Sequence, residues 1–287
     1  MRPRSCHPAA TATVWGVLPV RQSTSLRLRT GPVLERRARG RLAGAVRLEL
    51  LGGFELLVER QTAALPLHVQ RLLVFLALNN RAMHRAYVAG SLWLEASQEH
   101  ANACLRTTLW RARGLPCSLV EATTTHLRLA PSVAVDAHEL ARSAERVLHG
   151  PAAADNDIER LASPGDLLPD WYDDWVLQER ERLRHLRLLA LEAACDELIG
   201  EGRYADAVEA ALAAVGADPL RESAHRLLIS SHLSAGNVVE ALRQYAAFCA
   251  RLRHDLGLEP SPQIVELVRS CDPGVADKDL LARSHAG

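Results

Sequence analysis

The chain lacks the short motifs by which many enzymes and metalloproteins are recognised. Its six cysteines are scattered and include no C-x-x-C pair, so their spacing favours neither a zinc ribbon nor a disulfide framework. The patterns G-x-S-x-G, H-E-x-x-H and G-x-x-x-x-G-K-[ST] and the Rossmann glycine pattern are also missing. We therefore predict a protein that is not an enzyme and that carries no metal ion and no cofactor.

Long apolar runs are missing as well. No stretch of eighteen apolar residues could form a transmembrane helix, and the start of the chain lacks the apolar centre of a secretion signal. Scattered cysteines suit a reducing compartment. We expect a cytoplasmic protein with no membrane partner, and an apolar content of 48% over 287 residues is sufficient for two domains with real cores.

The formal net charge of zero hides a strong asymmetry along the chain. Residues 1–44 hold nine arginines and one glutamate, and residues 45–135 hold nine arginines and six acidic residues. Residues 136–287 hold sixteen basic and twenty-seven acidic residues. A basic front and an acidic back fit a protein that meets nucleic acid with one half and protein with the other.

Residues 1–44 are rich in arginine, serine, threonine and proline and are poor in acids. This composition predicts a disordered basic arm that adds nonspecific affinity for DNA. It also fits translation from an upstream start codon that is not the true one, and it superficially imitates an organellar transit peptide. We favour the first two interpretations, and nothing in this segment predicts a fold.

The segment from Ser97 to Arg128 carries the main functional signal. Its first half predicts an amphipathic helix, with Ser97 as the N-cap and Gly114-Leu115-Pro116 as the stop. The inner face of this helix is predicted from residues that recur every three or four positions: Ala101, Cys104, Leu105, Thr108, Leu109 and Ala112. Because His100 and Cys104 form only two potential metal ligands, we assign Cys104 to the core.

Three arginines outside that inner face, Arg106, Arg111 and Arg113, have no acidic residue three or four positions away on the helix. Unpaired guanidinium groups beside Asn102 and Thr107 suit phosphate contacts and the recognition of base edges in a major groove. We predict a DNA-binding face, and a merely solvated helix is the alternative. Trp110 also points outward, or else it packs against a neighbouring subunit or element.

Two short alternating segments, 119–122 and 126–129, follow the helix and are separated by three threonines. This pattern is typical of a β-hairpin in which the leucines face inward while His126 and Arg128 face outward. Such a hairpin can place Arg128 against phosphates or in the minor groove beside the helix. An ordinary edge hairpin without a DNA contact is the alternative.

The elements upstream complete a recognisable order. Alternation predicts strands over residues 46–51 and 54–58 that form a small antiparallel sheet, and helical periodicity predicts helices over 67–79 and 85–93. The order sheet, three helices, hairpin predicts a winged helix-turn-helix DNA-binding domain over residues 45–135.

From residue 136 to 271 the pattern is helical almost throughout and repeats at an offset of 34 residues. The segment from Gly202 to Ala207 matches that from Gly236 to Ala241, and Ala190 falls on Ala224. Small residues at this period are typical of stacked helix pairs of the tetratricopeptide (TPR) type. The sequence thus predicts a mainly α protein with small β elements, in which an all-α TPR-like domain over 136–271 follows the winged helix and a tail over 272–287 ends the chain.

Several motifs, taken in succession, resemble those of a known family. The front half contributes Leu51-Gly-Gly-Phe54, Leu92-Trp93, the helix segment from Asn102 to Arg113, and the two hairpin segments. The back half contributes the segments from Leu168 to Arg180, from Asp218 to His225 and from Leu256 to Ser261. From about Val46 to Val268 the chain resembles the antibiotic regulatory protein (SARP, AfsR-like) family, which joins an OmpR-type winged helix to a bacterial transcriptional activation domain (BTAD).

This resemblance implies a cytoplasmic transcription activator that regulates a biosynthetic gene cluster, such as one for an antibiotic. It implies binding to double-stranded DNA at promoter direct repeats as a tandem dimer, and contact with RNA polymerase. It places eight residues at the DNA, six on the recognition helix and two on the wing: Asn102, Arg106, Thr107, Trp110, Arg111, Arg113, His126 and Arg128. The alternative function is a TPR-type protein-interaction adaptor whose winged-helix domain no longer binds DNA.

Two departures from the family pattern concern the wing and its neighbour. His84 stands where the family usually has a serine or threonine cap for the second helix. The hairpin turn lacks the usual glycine or aspartate, so Thr125 has to turn without that help. DNA binding is still expected, although the target sequence can differ from that of other members.

Overall fold

The computed structural model describes residues 46–113, 118–150, 153–163 and 165–270. All of them lie in one compact unit, which is mainly helical and holds ten helices and seven short strands within these residues. The predicted basic arm over 1–44, the helix stop at Gly114-Leu115-Pro116 and the predicted tail over 272–287 lie outside the described residues. No helix in the described ranges combines the length and the apolarity that crossing a membrane requires.

The front half contains seven strands and three helices. The strands are β1 (Val46–Glu49), β2 (Glu55–Val58), β3 (Gln61–Thr62), β4 (Met83–His84), β5 (Val120–Ala122), β6 (His126–Leu129) and β7 (Val133–Val135). The helices are α1 (Leu67–Asn79), α2 (Arg85–Leu92) and α3 (Gln98–Ala112). The predicted first helix, second helix and hairpin are confirmed, with bounds that closely match those read from the sequence pattern.

The strands form two small sheets, ordered β3-β2-β1-β7 and β4-β6-β5. Strand β1 pairs antiparallel with β2 but parallel with β7, which returns after the hairpin. The predicted antiparallel pairing of the first two strands is confirmed, and β7 joins their sheet as a parallel neighbour of β1. Strands β3, β4 and β7 have two or three residues each, which is too short for alternation to reveal them in the sequence.

The back half consists of helices. They are α4 (Asp136–His149), α5 (Asp155–Ala162), α6 (Asp174–Gly200), α7 (Tyr204–Ala217), α8 (Glu222–Ser234), α9 (Val238–Leu256) and α10 (Pro262–Arg269). The 34-residue offset corresponds to two successive helix hairpins, α6–α7 and α8–α9. Small residues occupy the close contacts of these pairs, and Ala190 and Ala224 are both fully buried.

The turn between the helices is built in the same way in both hairpins. Gly202 and Gly236 have φ values of 76° and 77°, in the left-handed region where a side chain would be strained. The next residues, Arg203 and Asn237, donate their N–H groups back to the carbonyls of Leu198 and His232. The glycine that marks the repeat in the sequence thus terminates a helix in each copy.

A buried carboxylate joins the two halves where β7 ends and α4 begins. Asp136 accepts hydrogen bonds from the backbone N–H groups of Leu50 (2.9 Å), Leu51 (2.9 Å) and Ala137 (2.7 Å). The residue is only 9% exposed, so these N–H groups have little access to water as an alternative partner. The end of the first strand is therefore fixed to the first residue of the helical half.

Further contacts cross between the halves. The segment that precedes α6 forms a backbone hydrogen bond to the chain after β1. The Leu168 N–H donates to the Leu50 carbonyl at 2.9 Å. Trp175 of α6 lies edge-on to Phe75 of α1, with ring centroids 5.1 Å apart. Arg71 of α1 forms an ion pair with Asp173 at 2.5 Å. Residues of both halves, including Leu48 and Leu188, belong to one hydrophobic core.

We predict that Asp136→Ala destabilises the protein by about 3 kcal/mol, because it leaves buried N–H groups without the charged acceptor they use. The measurement is urea unfolding followed by circular dichroism. Asp155→Ala is the matched control, since Asp155 is 77% exposed and its ion pair with Arg203 is expected to contribute less than about 1 kcal/mol. Equal losses in the two variants would contradict the structural role of Asp136.

Candidate nucleic-acid interface

Helix α3 is fixed at its start and along its inner face. The Ser97 hydroxyl accepts a hydrogen bond from the His100 N–H at 3.3 Å, which confirms the predicted cap. Of the residues predicted to face inward, five are buried and Cys104 is half-buried: the five are Ala101, Leu105, Thr108, Leu109 and Ala112. The leucines pack in the same core as side chains of α1 and α2. The rotation of the helix about its axis is therefore determined by packing.

This packing decides what α3 presents to solvent. The predicted outer residues Arg106, Thr107, Trp110, Arg111 and Arg113 are all exposed. Trp110 is 72% exposed, so it does not pack against another element of the described chain. The sixth predicted residue of the helix, Asn102, is half-buried at the edge of the exposed face.

The three arginines of α3 carry positive charge that no carboxylate of the described residues compensates. Arg106 and Arg113 form no ion pair with any acid in the described ranges. Arg111 donates from Nη1 to Nε2 of His68 on α1, at 3.0 Å. Since imidazole accepts that bond only when Nε2 is unprotonated, the partner of Arg111 is a neutral group. The face is therefore suited to binding an anion.

The arginine of the hairpin differs from those of the helix. In the β5–β6 register Arg128 stands opposite Glu121, and its Nη2 lies 2.5 Å from the Glu121 carboxylate. Both side chains are about half exposed. Arg128 faces outward as predicted, but its charge is largely cancelled by a residue on the adjacent strand. The pairing of Glu121 with Arg128 can be predicted from the sequence only when the register of the two strands is known.

The hairpin turn is stabilised without a glycine. The Thr123 hydroxyl accepts hydrogen bonds from the N–H groups of Thr125 (3.3 Å) and His126 (2.9 Å). Arg85, the first residue of α2, donates its N–H to the Thr125 carbonyl (2.8 Å) and its guanidinium to the Thr123 carbonyl (3.2 Å). A threonine hydroxyl and a neighbouring helix thus supply the support that glycine or aspartate gives in other turns.

A pair of histidines lies beside this turn. His84 accepts a hydrogen bond from the Ala86 N–H through Nδ1 at 3.3 Å, so it caps α2 in place of serine or threonine. Strand β4 pairs with β6 at His84 and His126, and the two rings lie edge to face with centroids 5.5 Å apart. The predicted site residue His126 is exposed, and its Nδ1 lies 2.9 Å from the Thr125 hydroxyl.

The helix face and the hairpin are held by one core. Leu127 of β6 is buried in the cluster that contains Leu105 and Leu109 of α3. Helix α3 and the hairpin therefore share a rigid support. Together they present guanidinium, amide, hydroxyl, imidazole and indole groups. These groups are hydrogen-bond donors and stacking surfaces, which suit recognition of a polyanion. In the described ranges, no three histidine, cysteine or acidic side chains converge as metal ligands would.

Comparison with known proteins gives both family and fold similarities. The model of the family described as bacterial transcriptional activator domain matches residues 119–270. Regulatory protein AfsR of Streptomyces coelicolor is 30% identical over 250 residues, which cover 82% of this chain and 25% of that protein. Regulatory protein AfsR of Streptomyces griseus is 32% identical over 204 residues, which cover 64% of this chain and 20% of that protein. The chain thus spans a quarter or less of the length of these relatives.

A solved structure is similar in fold. The structure described as Mycobacterium tuberculosis EmbR in complex with a low affinity phosphopeptide matches with a TM-score of 0.62 and 22% sequence identity. The match covers 78% of this chain and 64% of that one. At this level of identity the similarity shows the fold alone.

We predict that Thr123→Val destabilises the protein by about 0.5–1 kcal/mol, because valine keeps the shape but loses the hydroxyl that supports the turn. Faster amide hydrogen exchange at Thr125 and His126, measured by NMR, should accompany the loss. Thr124→Val is the matched control at the adjacent position. If both variants behave alike, the Thr123 hydroxyl does not hold the turn.

Proposed function

Since the chain belongs to the SARP/AfsR-like family of bacterial transcriptional regulators, we propose that it is a sequence-specific DNA-binding transcription activator. The single observation that carries the proposal is the exposed face of α3, whose arginines have no carboxylate partner in the described residues. In this proposal residues 45–135 form a winged helix-turn-helix, and residues 136–271 form the activation domain.

The residues of α3 take two kinds of role. Arg106 lies in the middle of the exposed face, where a guanidinium group can form a bidentate contact with guanine in the major groove. Asn102 can contact adenine in the same way, and Thr107 and Trp110 can contact thymine methyl groups or sugars. Arg111 and Arg113, at the end of the helix, bind phosphates and fix the register of the helix on the duplex.

The hairpin acts as the wing. His126 and Arg128 face outward from β6 and approach the phosphates or the minor groove beside the helix. Arg128 first has to leave Glu121, so the wing contributes less affinity than its sequence suggests. Arg85 supports the wing turn and thereby fixes its position relative to α2.

The helical half carries the activating function. Its net negative charge suits protein partners better than DNA, and we propose that it contacts RNA polymerase. Two copies bind in tandem to direct repeats near a promoter of a biosynthetic gene cluster. Because the two halves share a core, the position of each helical half follows from the position of its α3 on the DNA.

We predict that Arg106→Ala weakens binding to the cognate duplex by about 1–3 kcal/mol and weakens binding to random duplex much less. The cognate sequence is obtained by repeated selection from a pool of random duplexes with the full chain, and affinities are measured by fluorescence anisotropy. Arg182→Ala is the control, since Arg182 lies on α6 and is paired with Glu179.

Equal losses on both duplexes would make Arg106 a phosphate contact. Failure of the wild type to enrich any sequence at low salt would overturn the proposed function. It would favour the protein-interaction adaptor instead.

We predict that Glu121→Gln strengthens DNA binding, because the substitution frees Arg128 for a phosphate. The dependence of log affinity on log salt concentration should steepen by about 1, as expected for one additional phosphate contact. The control is the same substitution in an Arg128→Ala background, where only the general loss of a negative charge remains. An equal gain in both backgrounds would show that Arg128 does not reach the DNA.

A further inference from the structure

One arginine of the α3 face is held by a residue outside that face. Nη1 of Arg111 lies 3.0 Å from Nε2 of His68, although the two residues are 43 positions apart. A guanidinium group can only donate, so Nε2 accepts and the ring proton lies on Nδ1. This contact gives the imidazole of His68 a defined tautomer and gives Arg111 a defined direction.

We propose that His68 is a positioning residue that orients Arg111 toward a DNA phosphate, and that it does so only while its imidazole is neutral. This inference rests on the proposed function, because it assigns a supporting residue to the same DNA-binding face. His68 itself does not need to touch the DNA. Its effect is transmitted through the single hydrogen bond to Arg111.

The structure explains why such a device is useful on this face. A free arginine side chain loses rotamer entropy when it is fixed, and an existing hydrogen bond removes part of that loss on binding. A carboxylate could also hold the side chain, but it would cancel the charge, as Glu121 does for Arg128. A neutral imidazole orients Arg111 and leaves its positive charge available to the phosphate.

The support for His68 is rigid. His68 is half-buried near the start of α1, and the next residue, Val69, is 1% exposed in the core. Arg71, one turn further along, is tied by its ion pair to Asp173 in front of α6. The helix backbone that carries His68 is thus fixed relative to the body of the protein, whereas the guanidinium at the end of α3 is exposed.

The surroundings of the His68 imidazole favour its neutral form. Burial and, secondly, the positive charge of Arg111 lower the pKa of His68 below its ordinary value. Among the described residues, Arg111 of α3 is the charged group that acts on His68. Once His68 is protonated, two donors with like charge face each other and the hydrogen bond is lost. The orienting contact therefore persists to lower pH than it would with an ordinary histidine. It is lost at a pH low enough to protonate His68.

The first test is a double-mutant cycle on the selected duplex. We expect His68→Ala to weaken binding about three- to tenfold, which corresponds to the loss of one hydrogen bond. His68→Gln should remain within about twofold of the wild type, because its amide oxygen can accept from Arg111. In an Arg111→Ala background, the His68→Ala substitution should have no further effect. The same loss in both backgrounds, or a loss in the Gln variant as large as in the Ala variant, would overturn the proposal.

The second test compares the wild type with His68→Gln between about pH 8 and about pH 5.5. The other histidines near the DNA are common to both proteins, so the ratio of the two dissociation constants isolates His68. We expect the ratio to be near one at the upper end and the wild type to become the weaker binder as pH falls. A constant ratio, or a wild type that becomes the tighter binder, would overturn the proposal.

If the wild type enriches no duplex in selection, the proposed function and this inference are both wrong. If the wild type binds a selected duplex but the double-mutant cycle fails, only this inference is wrong.

Discussion

The fold depends on the buried carboxylate of Asp136. It accepts hydrogen bonds at the end of the first strand and at the start of α4, so the sheet and the helical half meet at one residue. Around it, the segment before α6 bonds to the strand end, and both halves share a core. A hydrogen-bonded charge tolerates little displacement when it is removed from water. The orientation of α3 relative to the helical half is consequently set by the interior of the protein.

The partner of each charged group also distinguishes the arginines on the surface. Most arginines of the helical half are paired with acids one turn away or on a neighbouring helix, as Arg182 is with Glu179 and Arg221 with Glu192. The arginines of α3 have no such partner in the described part of the chain. Arg128 of the hairpin is paired with a carboxylate like the arginines of the helical half, whereas Arg111 of α3 is held by a neutral imidazole that leaves its charge uncancelled. The availability of positive charge is therefore graded by the chemistry of each partner, not by the number of arginines.

Local signals in the sequence predict much of the fold and the composition of the candidate site. The bounds of α1, the Ser97 cap, the inner face of α3 and the hairpin strands all follow from periodicity and capping, which act over a few residues. The 34-residue offset marks the two helix hairpins, because a left-handed turn after a helix favours glycine in each copy. Strands β3, β4 and β7 are not predicted from the sequence. A strand of two or three residues is too short to show alternation, and it forms only by hydrogen bonding to a neighbouring strand.

By itself the sequence determined which side chains are free of partners on their own helix and which faces are apolar. That information is local, because i,i+3 and i,i+4 neighbours are fixed once a helix forms. Only the tertiary structure decided which charges remain available. Glu121 meets Arg128 through strand register, and His68 meets Arg111 because α1 packs beside α3. The first pairing needs the register of two hairpin strands and the second joins residues 43 positions apart, so the spacing of charges along one helix encodes neither.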